Sequence, residues 1–417
     1  MSMSLVELEL QLETPLFAGG YDPLKLDELW FLRPSEVKGV WRWWARALVA
    51  GALYDAGELR GSSKRGILKA PTPEEANRIS KSVGIDMGLG YADPRGELSG
   101  ASYYSLVVEP VDVDRFKRTY RGGPVALRDG QLNLQRATLL ALGRRQLEYL
   151  TPGARFRLRV EERVSKLPVR REAAEAALAA LSLALTFSGF GKGGRRGLGC
   201  FRVVRARGTY AGFFDPRVPA AERVNRAVNA VRSLLDIKAV ESGEGELPPL
   251  PSVSARRLAG GYRVREHDLR PFQVIEVRGS GARLLGELHN FFLRGARAGR
   301  LLGDPKAQDA LRQRLAAWVL GLPREQRGTG YRIRVTGVDR RASPLLLAVH
   351  GGAGEGGAYL SVFASADWPA QLAWREGAEV PREISERAVA EALVLALDEF
   401  VDYAAKCGFS VSFVWPK

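Results

Sequence analysis

A helix that runs into a glycine-rich cationic loop, and from there into a strand, constrains this 417-residue chain more than any other feature. Residues 171–186, REAAEAALAALSLALT, are rich in alanine and leucine, with Leu178, Leu181 and Leu185 at helical spacing. The loop SGFGKGGRRGLG (188–199) follows, and then CFRVVRAR (200–207), whose Val203 and Val204 lie between charges as in a strand. Gly189, Gly191 and Gly194 satisfy the dinucleotide spacing G-x-G-x-x-G. That motif needs a strand before the loop and a helix after it, so that a helix N-terminus faces the pyrophosphate. Here the order is reversed, and a helix C-terminus repels phosphate. The Walker pattern fails as well, because Lys192 is followed by Gly193. What remains is a basic, flexible loop whose bare backbone lets a ligand approach closely. An ordinary mobile surface loop is the plainer alternative.

The charge balance narrows the class of ligand. The chain carries 62 Lys and Arg against 47 Asp and Glu, a formal charge of +15. Arginine dominates the cations; its planar fork suits phosphate and stacks on bases, and an excess of this size is the footprint of nucleic acid. The charges are spread along the whole length, unlike the single basic amphipathic helix of a membrane-surface protein. No apolar run reaches a membrane span, and MSMSLVELELQLE alternates like a strand rather than a signal peptide. Cys200 and Cys407 lack the spacing of a zinc site. No cofactor or metal is expected, and the expected compartment is the cytoplasm.

The order of elements gives the fold class. Expected elements of the first half are a strand over 5–14, a helix over 33–51 capped by Ser35, an insertion over 56–100 and strands at 101–111 and 154–164. The alanine-rich helix and the strand at 200–207 complete it. This β-α-β-β-α-β order is that of the ferredoxin-like unit, whose sheet is also the platform of the RRM. A helical linker spans 212–256. The second half reads in the same order, with strands at 271–279, 331–339, 343–350, 357–363 and 409–415 and helices at 282–297, 306–320 and 384–406. The expectation is an α+β chain of two ferredoxin-like (RRM-like) domains, 1–211 and 257–417, with helical insertions.

Several clusters are candidates for ligand contact. On the helix wheel of 33–51, Val37, Trp41, Trp44 and Leu48 form the core stripe, with Lys38, Arg42 and Arg46 as a cationic stripe beside it. Gly39 next to that stripe would admit a sugar-phosphate backbone, and Trp43, off the core stripe, would stack a base; a solvated basic face with a rim tryptophan explains both equally well. In the loop, Lys192, Arg195 and Arg196 would grip phosphate across Gly191, Gly193 and Gly194, while Phe190 either stacks on a base or anchors the loop. Arg340 and Arg341 at a strand entrance are a further phosphate candidate, or an ordinary charged turn. His267, His289 and His350 lie far in sequence from these clusters and read as structural. Asp112 and Asp114 read as a solvated turn rather than a magnesium site.

LETPLFAGGYD (12–22), LRPSEVKGVWRWWARALVAG (32–51), SGFGKGGRRGLG (188–199) and DRRASPLLL (339–347) together resemble the RAMP superfamily of CRISPR proteins. More narrowly, they are similar to the first-numbered subunit of the Cmr (type III-B) effector. The resemblance implies two ferredoxin-like domains, membership of a guide-RNA ribonucleoprotein with other Cmr subunits, and a position near the guide's 3′ region and the target RNA without cleavage. By the same analogy the glycine loop, Lys38, Arg42 and Arg46 carry RNA contacts. The expectation is thus a non-catalytic RNA-binding subunit. The alternatives are a metal-independent guide-processing endoribonuclease and a structural cap without RNA affinity of its own.

Overall fold

The computed structural model describes residues 4–416 apart from 93–98, 128–129, 142–145, 164–168, 239, 295, 303–308, 327–328, 351–354 and 377. Its first half contains β1 (Ser4–Leu12), α1 (Pro34–Asp55), β2 (Tyr104–Asp112), α2 (Gln135–Leu140), β3 (Arg155–Glu162), α3 (Arg171–Phe187) and β4 (Phe201–Arg207). After α4 (Ala220–Leu234) come β5 (Phe272–Ser280), α5 (Gly281–Leu293), α6 (Ala310–Gln313), β6 (Arg324–Gln326) and β7 (Thr329–Ile333). The chain then runs through β8 (Leu345–His350), β9 (Glu355–Phe363), β10 (Gln371–Glu376), β11 (Ala378–Glu383), α7 (Glu386–Lys406) and β12 (Ser410–Trp415).

Period-two patterning sets the first sheet. Leu8, Leu10 and Leu12 of β1 point into the core, while Glu7 and Glu9 point out. β1 is central, antiparallel to β3 on one side and β4 on the other, and β2 lies outside β3, so the order is β4-β1-β3-β2. The second sheet has the order β8-β9-β5-β12, again antiparallel. Numbered within its own half, each sheet runs fourth, first, third, second. Mixed α and β architecture is as expected.

The element boundaries differ in places. Arg33, not Ser35, caps α1: Pro34 opens the helix, and the Glu36 carboxylate accepts the Arg33 backbone N–H at 3.3 Å. The helix continues past Gly51 to Asp55, because from Ala47 onward it is buried all round and packing outweighs glycine's low propensity. The stretch expected as a helix over 306–320, of which 306–308 lie outside the described residues, is α6 and a 3₁₀ turn at Ala317–Leu320. β10 and β11 were not expected; with β6 and β7 they make a third sheet.

Alanine explains how the halves meet. α3 buries nearly every side chain from Ala173 to Phe187, and its small residues let α1 and α4 approach closely. The indole of Trp41 donates to the Ala177 carbonyl (2.6 Å) and that of Trp44 to Ser188 Oγ (2.9 Å). Neither core respects the expected division at 212–256: Phe272, Val274 and Phe363 of the second half join the first core, and Phe17, Tyr149 and Leu198 join the second.

Candidate nucleic-acid interface

The glycine loop is compact and tied down. Gly189 N–H donates to the Gly194 carbonyl (3.0 Å), Phe190 N–H to Gly199 (2.9 Å), Gly199 N–H to Pro15 (2.9 Å) and Lys192 N–H to Phe17 (2.8 Å). Its glycines serve that closure first. Gly199 has φ +65°, and a Cβ there would lie 2.1 Å from the Phe190 carbonyl oxygen. The expected flexible loop is therefore corrected: it folds on itself and against two sheets. Phe190 is buried and packs edge-on against Phe201 at 5.8 Å, so it anchors the loop.

Two of the loop's three cations reach the second half. Arg195 donates to the Ser343 carbonyl (2.8 Å) and lies over the Trp43 ring at 5.4 Å. Arg196 donates to Leu345 (3.0 Å) and Leu320 (2.8 Å), and lies 4.2 Å from the Phe292 centroid. All of these acceptors are neutral carbonyls, so the positive charge remains. Burial beside Arg341 lowers the Arg195 guanidinium to about 10, and burial with neighbouring arginines lowers Arg196 further. Lys192 donates to the Pro23 carbonyl.

Above the loop opens a cleft of ≈ 1020 Å³, walled by the first half of α1, the end of α5 and the segments 320–324 and 340–343. Among the described residues, eight cations line it (Arg33, Arg136, Lys192, Arg195, Arg196, Arg324, Arg340 and Arg341) against one carboxylate, Glu36, whose carboxyl is itself raised by burial. Bare backbone of Gly189, Gly191, Gly193 and Gly194 faces the same space. A positive, low-dielectric concavity focuses its field on polyanions.

The expected contacts divide into three groups. Lys192, Gly191, Gly193, Gly194, Arg195, Arg196, Trp43, Arg340 and Arg341 all line the cleft. Trp43 is half-buried, edge-on to Trp44 (5.4 Å) and Phe363 (5.1 Å), and Arg341 is buried against Asp367 at 2.7 Å. Lys38, Arg42 and Arg46 form no part of the cleft; Arg42 donates to the Leu89 carbonyl (2.8 Å), and Lys38 is lowered by burial and then by Arg42 and Arg163. Gly39 is exposed at the cleft, with no atom within 4 Å of a built Cβ. Gly39→Ala is expected to stabilise the chain by about 0.5–1 kcal/mol in chemical denaturation. That α1 forgoes this stability where it borders the cleft fits a close backbone approach.

The residues not foreseen are Arg33, Arg136, Arg324 and His289. His289 was read as remote from the loop, yet it lines the cleft, buried, with its pKa lowered to about 3 by burial and then by Arg196 and Arg136. His350 Nε2 pairs with the Thr186 carbonyl (2.7 Å), and His267 stacks on Phe413. Asp112 pairs with Arg115, consistent with a charged turn.

The open face of the first sheet is no RRM platform. RRMs place base-stacking aromatics there. Here Glu7 and Glu9 of β1 face Arg159 and Arg157 of β3 and Arg207 and Arg205 of β4, so cross-strand charge pairs occupy the face.

The RAMP superfamily model matches residues 9–202, from within β1 through the glycine loop into β4. Over this span, a little under half of the chain, the sequence is similar to the RAMP superfamily. The whole chain also matches solved structures. Cmr1 from Pyrococcus furiosus in its apo form is 18% identical, with 99% of each chain covered and a TM-score of 0.51. A chain of the type III-B Cmr-beta complex bound to cognate target RNA is 12% identical, covering 96% of this chain and 100% of that one, with a TM-score of 0.53. In the complex with target RNA, AMPPnP and ssDNA the values are 13% and 0.51 at the same coverage. At these identities the likeness is one of fold, and it extends well past the span that the family model matches. No curated protein matches in sequence. Among the described residues, no helix is long and apolar enough to cross a membrane.

Proposed function

We propose that the chain is a non-catalytic RNA-binding subunit of a type III-B CRISPR (Cmr) effector, working in the cytoplasm and holding guide or target RNA near the guide 3′ region. The observation that carries this reading is the cleft, where eight cations and the bare backbone of a RAMP glycine loop face one carboxylate. The fold-level likeness to a chain of a Cmr complex bound to target RNA supports the assembly and its other subunits as partners. We read both sheets as ferredoxin-like, since each has the fourth-first-third-second order with helices after its first and third strands.

One observation favours a second reading, a metal-independent endoribonuclease: His289 lies in the cleft beside Arg196 and Arg136. An imidazole held near 3 is a poor proton acceptor at neutral pH, which favours the binding role.

Labelled single-stranded RNA titrated with the purified chain at two salt concentrations, without metal, tests the reading on native and denaturing gels. The expected result is binding that weakens steeply with salt and leaves the RNA intact. Cleavage abolished by His289→Ala would replace this reading with the nuclease, and no binding at either salt would leave a structural cap.

A further inference from the structure

We infer that the floor of the cleft is a dedicated phosphate subsite, in which Arg136, Arg196, Arg324 and the His289 imidazole hold one phosphate of the bound strand. The inference rests on the cleft being the RNA site and names the groups that anchor the strand there. Its first ground is a set of unmet hydrogen bonds. His289 is only 3% exposed, yet among the described residues neither ring nitrogen has a partner. Arg136 Nε is buried and unpaired in the same way. Buried polar groups are normally satisfied, and each exception of this kind costs on the order of 1–3 kcal/mol.

The second ground is charge. The two most deeply buried arginines meet carboxylates, Arg341 at the side of the cleft meeting Asp367, and Arg294 away from it meeting Asp309 and Glu399. Among the described residues, the acting charges around Arg196 are Arg324, Arg195 and Arg136, all positive. Its guanidinium bonds end on the carbonyls of Leu320 and Leu345, and Arg324 ends on the Phe292 carbonyl at 2.7 Å. A desolvated cluster of like charges is costly until an anion enters it. A phosphate group resolves both deficits at once, since its oxygens accept from the guanidinium forks and from an imidazole N–H while its charge offsets the arginines. Four elements position the donors: α2 brings Arg136, α5 brings His289, β6 brings Arg324, and the glycine loop brings Arg196.

Internal RNA phosphates and free phosphate share this chemistry, so the test uses both. The full chain, with ¹⁵N in its three histidine rings, is titrated with a single-stranded RNA oligonucleotide and separately with inorganic phosphate. His289→Gln assigns the ring signal. The expected result is a saturable shift of the His289 signal with each probe, and RNA affinity about tenfold lower in Arg136→Gln at unchanged melting temperature. RNA that binds while the His289 signal stays fixed and Arg136→Gln binds as wild type would overturn the subsite and leave the cleft reading intact. Phosphate that shifts His289 while RNA fails to bind would uphold the subsite and remove RNA as its ligand. A silent His289 with no RNA bound would overturn both.

Discussion

Lys192→Glu combined with Arg340→Glu is expected to lower affinity for single-stranded RNA about 100-fold at moderate salt. Both residues line the cleft, and together the exchanges change its charge by four units where eight cations face one carboxylate. The choice of residues matters. Arg195, Arg196 and Arg341 also hold the second half through backbone carbonyls and Asp367, so their loss would mix binding with folding. Arg340 is exposed, and Lys192 reaches the outer rim at Pro23. Fluorescence anisotropy across a salt series checks the claim: the plot of log affinity against log salt should flatten by about two, one for each phosphate no longer gripped. An unchanged slope would place the strand elsewhere on the molecule.

The second large effect concerns stability. Arg294→Met is expected to destabilise the chain by about 3–5 kcal/mol at pH 7, read as a lower denaturation midpoint. Arg294 is fully buried at the end of α5, in a left-handed conformation (φ 55°). It bonds Asp309 through Nε (2.9 Å) and Glu399 of α7 through Nη2 (2.6 Å), and so fixes the helix that carries His289 and Phe292 to the cleft. Removing it strands two buried carboxylates. Burial already raises the Glu399 carboxyl against the pull of Arg294, and removing that cation raises it further. A carboxyl whose folded value exceeds its unfolded value binds more protons when folded, so the stability missing in the variant should return as pH falls from 7 towards 5. A deficit that does not change with pH would point to poorer packing rather than stranded charge.

Local pattern made much of the fold legible. The alternation of Leu8, Leu10 and Leu12 placed β1, and the spacing of Leu178, Leu181 and Leu185 placed α3. β10 and β11 were hidden because WREGAEVPRE reads as a charged loop; β11 is an outer strand of its sheet, where Pro381 is tolerated. In the site, the glycine loop was visible as composition, but the targets of its arginines were not, since Leu320 and Leu345 lie 124 and 149 residues away. His289, on a largely apolar helix with Arg283 and Glu287 as its charged residues, carried no local signal at all. Lys38, Arg42 and Arg46 were legible as a stripe, but a wheel shows which residues share a face and not what that face meets.

The glycine loop also settles how the second sheet ends. β8, LLLAVH, is an apolar outer strand with alternate backbone groups turned away from β9. The loop and Cys200 just after it take up three of those groups: Arg196 bonds the Leu345 carbonyl, Leu347 N–H donates to the Arg195 carbonyl (3.1 Å), and Val349 N–H donates to Cys200 Sγ (3.3 Å). An uncovered edge of this composition would template pairing with a second molecule. The segment that forms the floor of the cleft thus also covers the edge at which β8 is open to pairing with a second molecule.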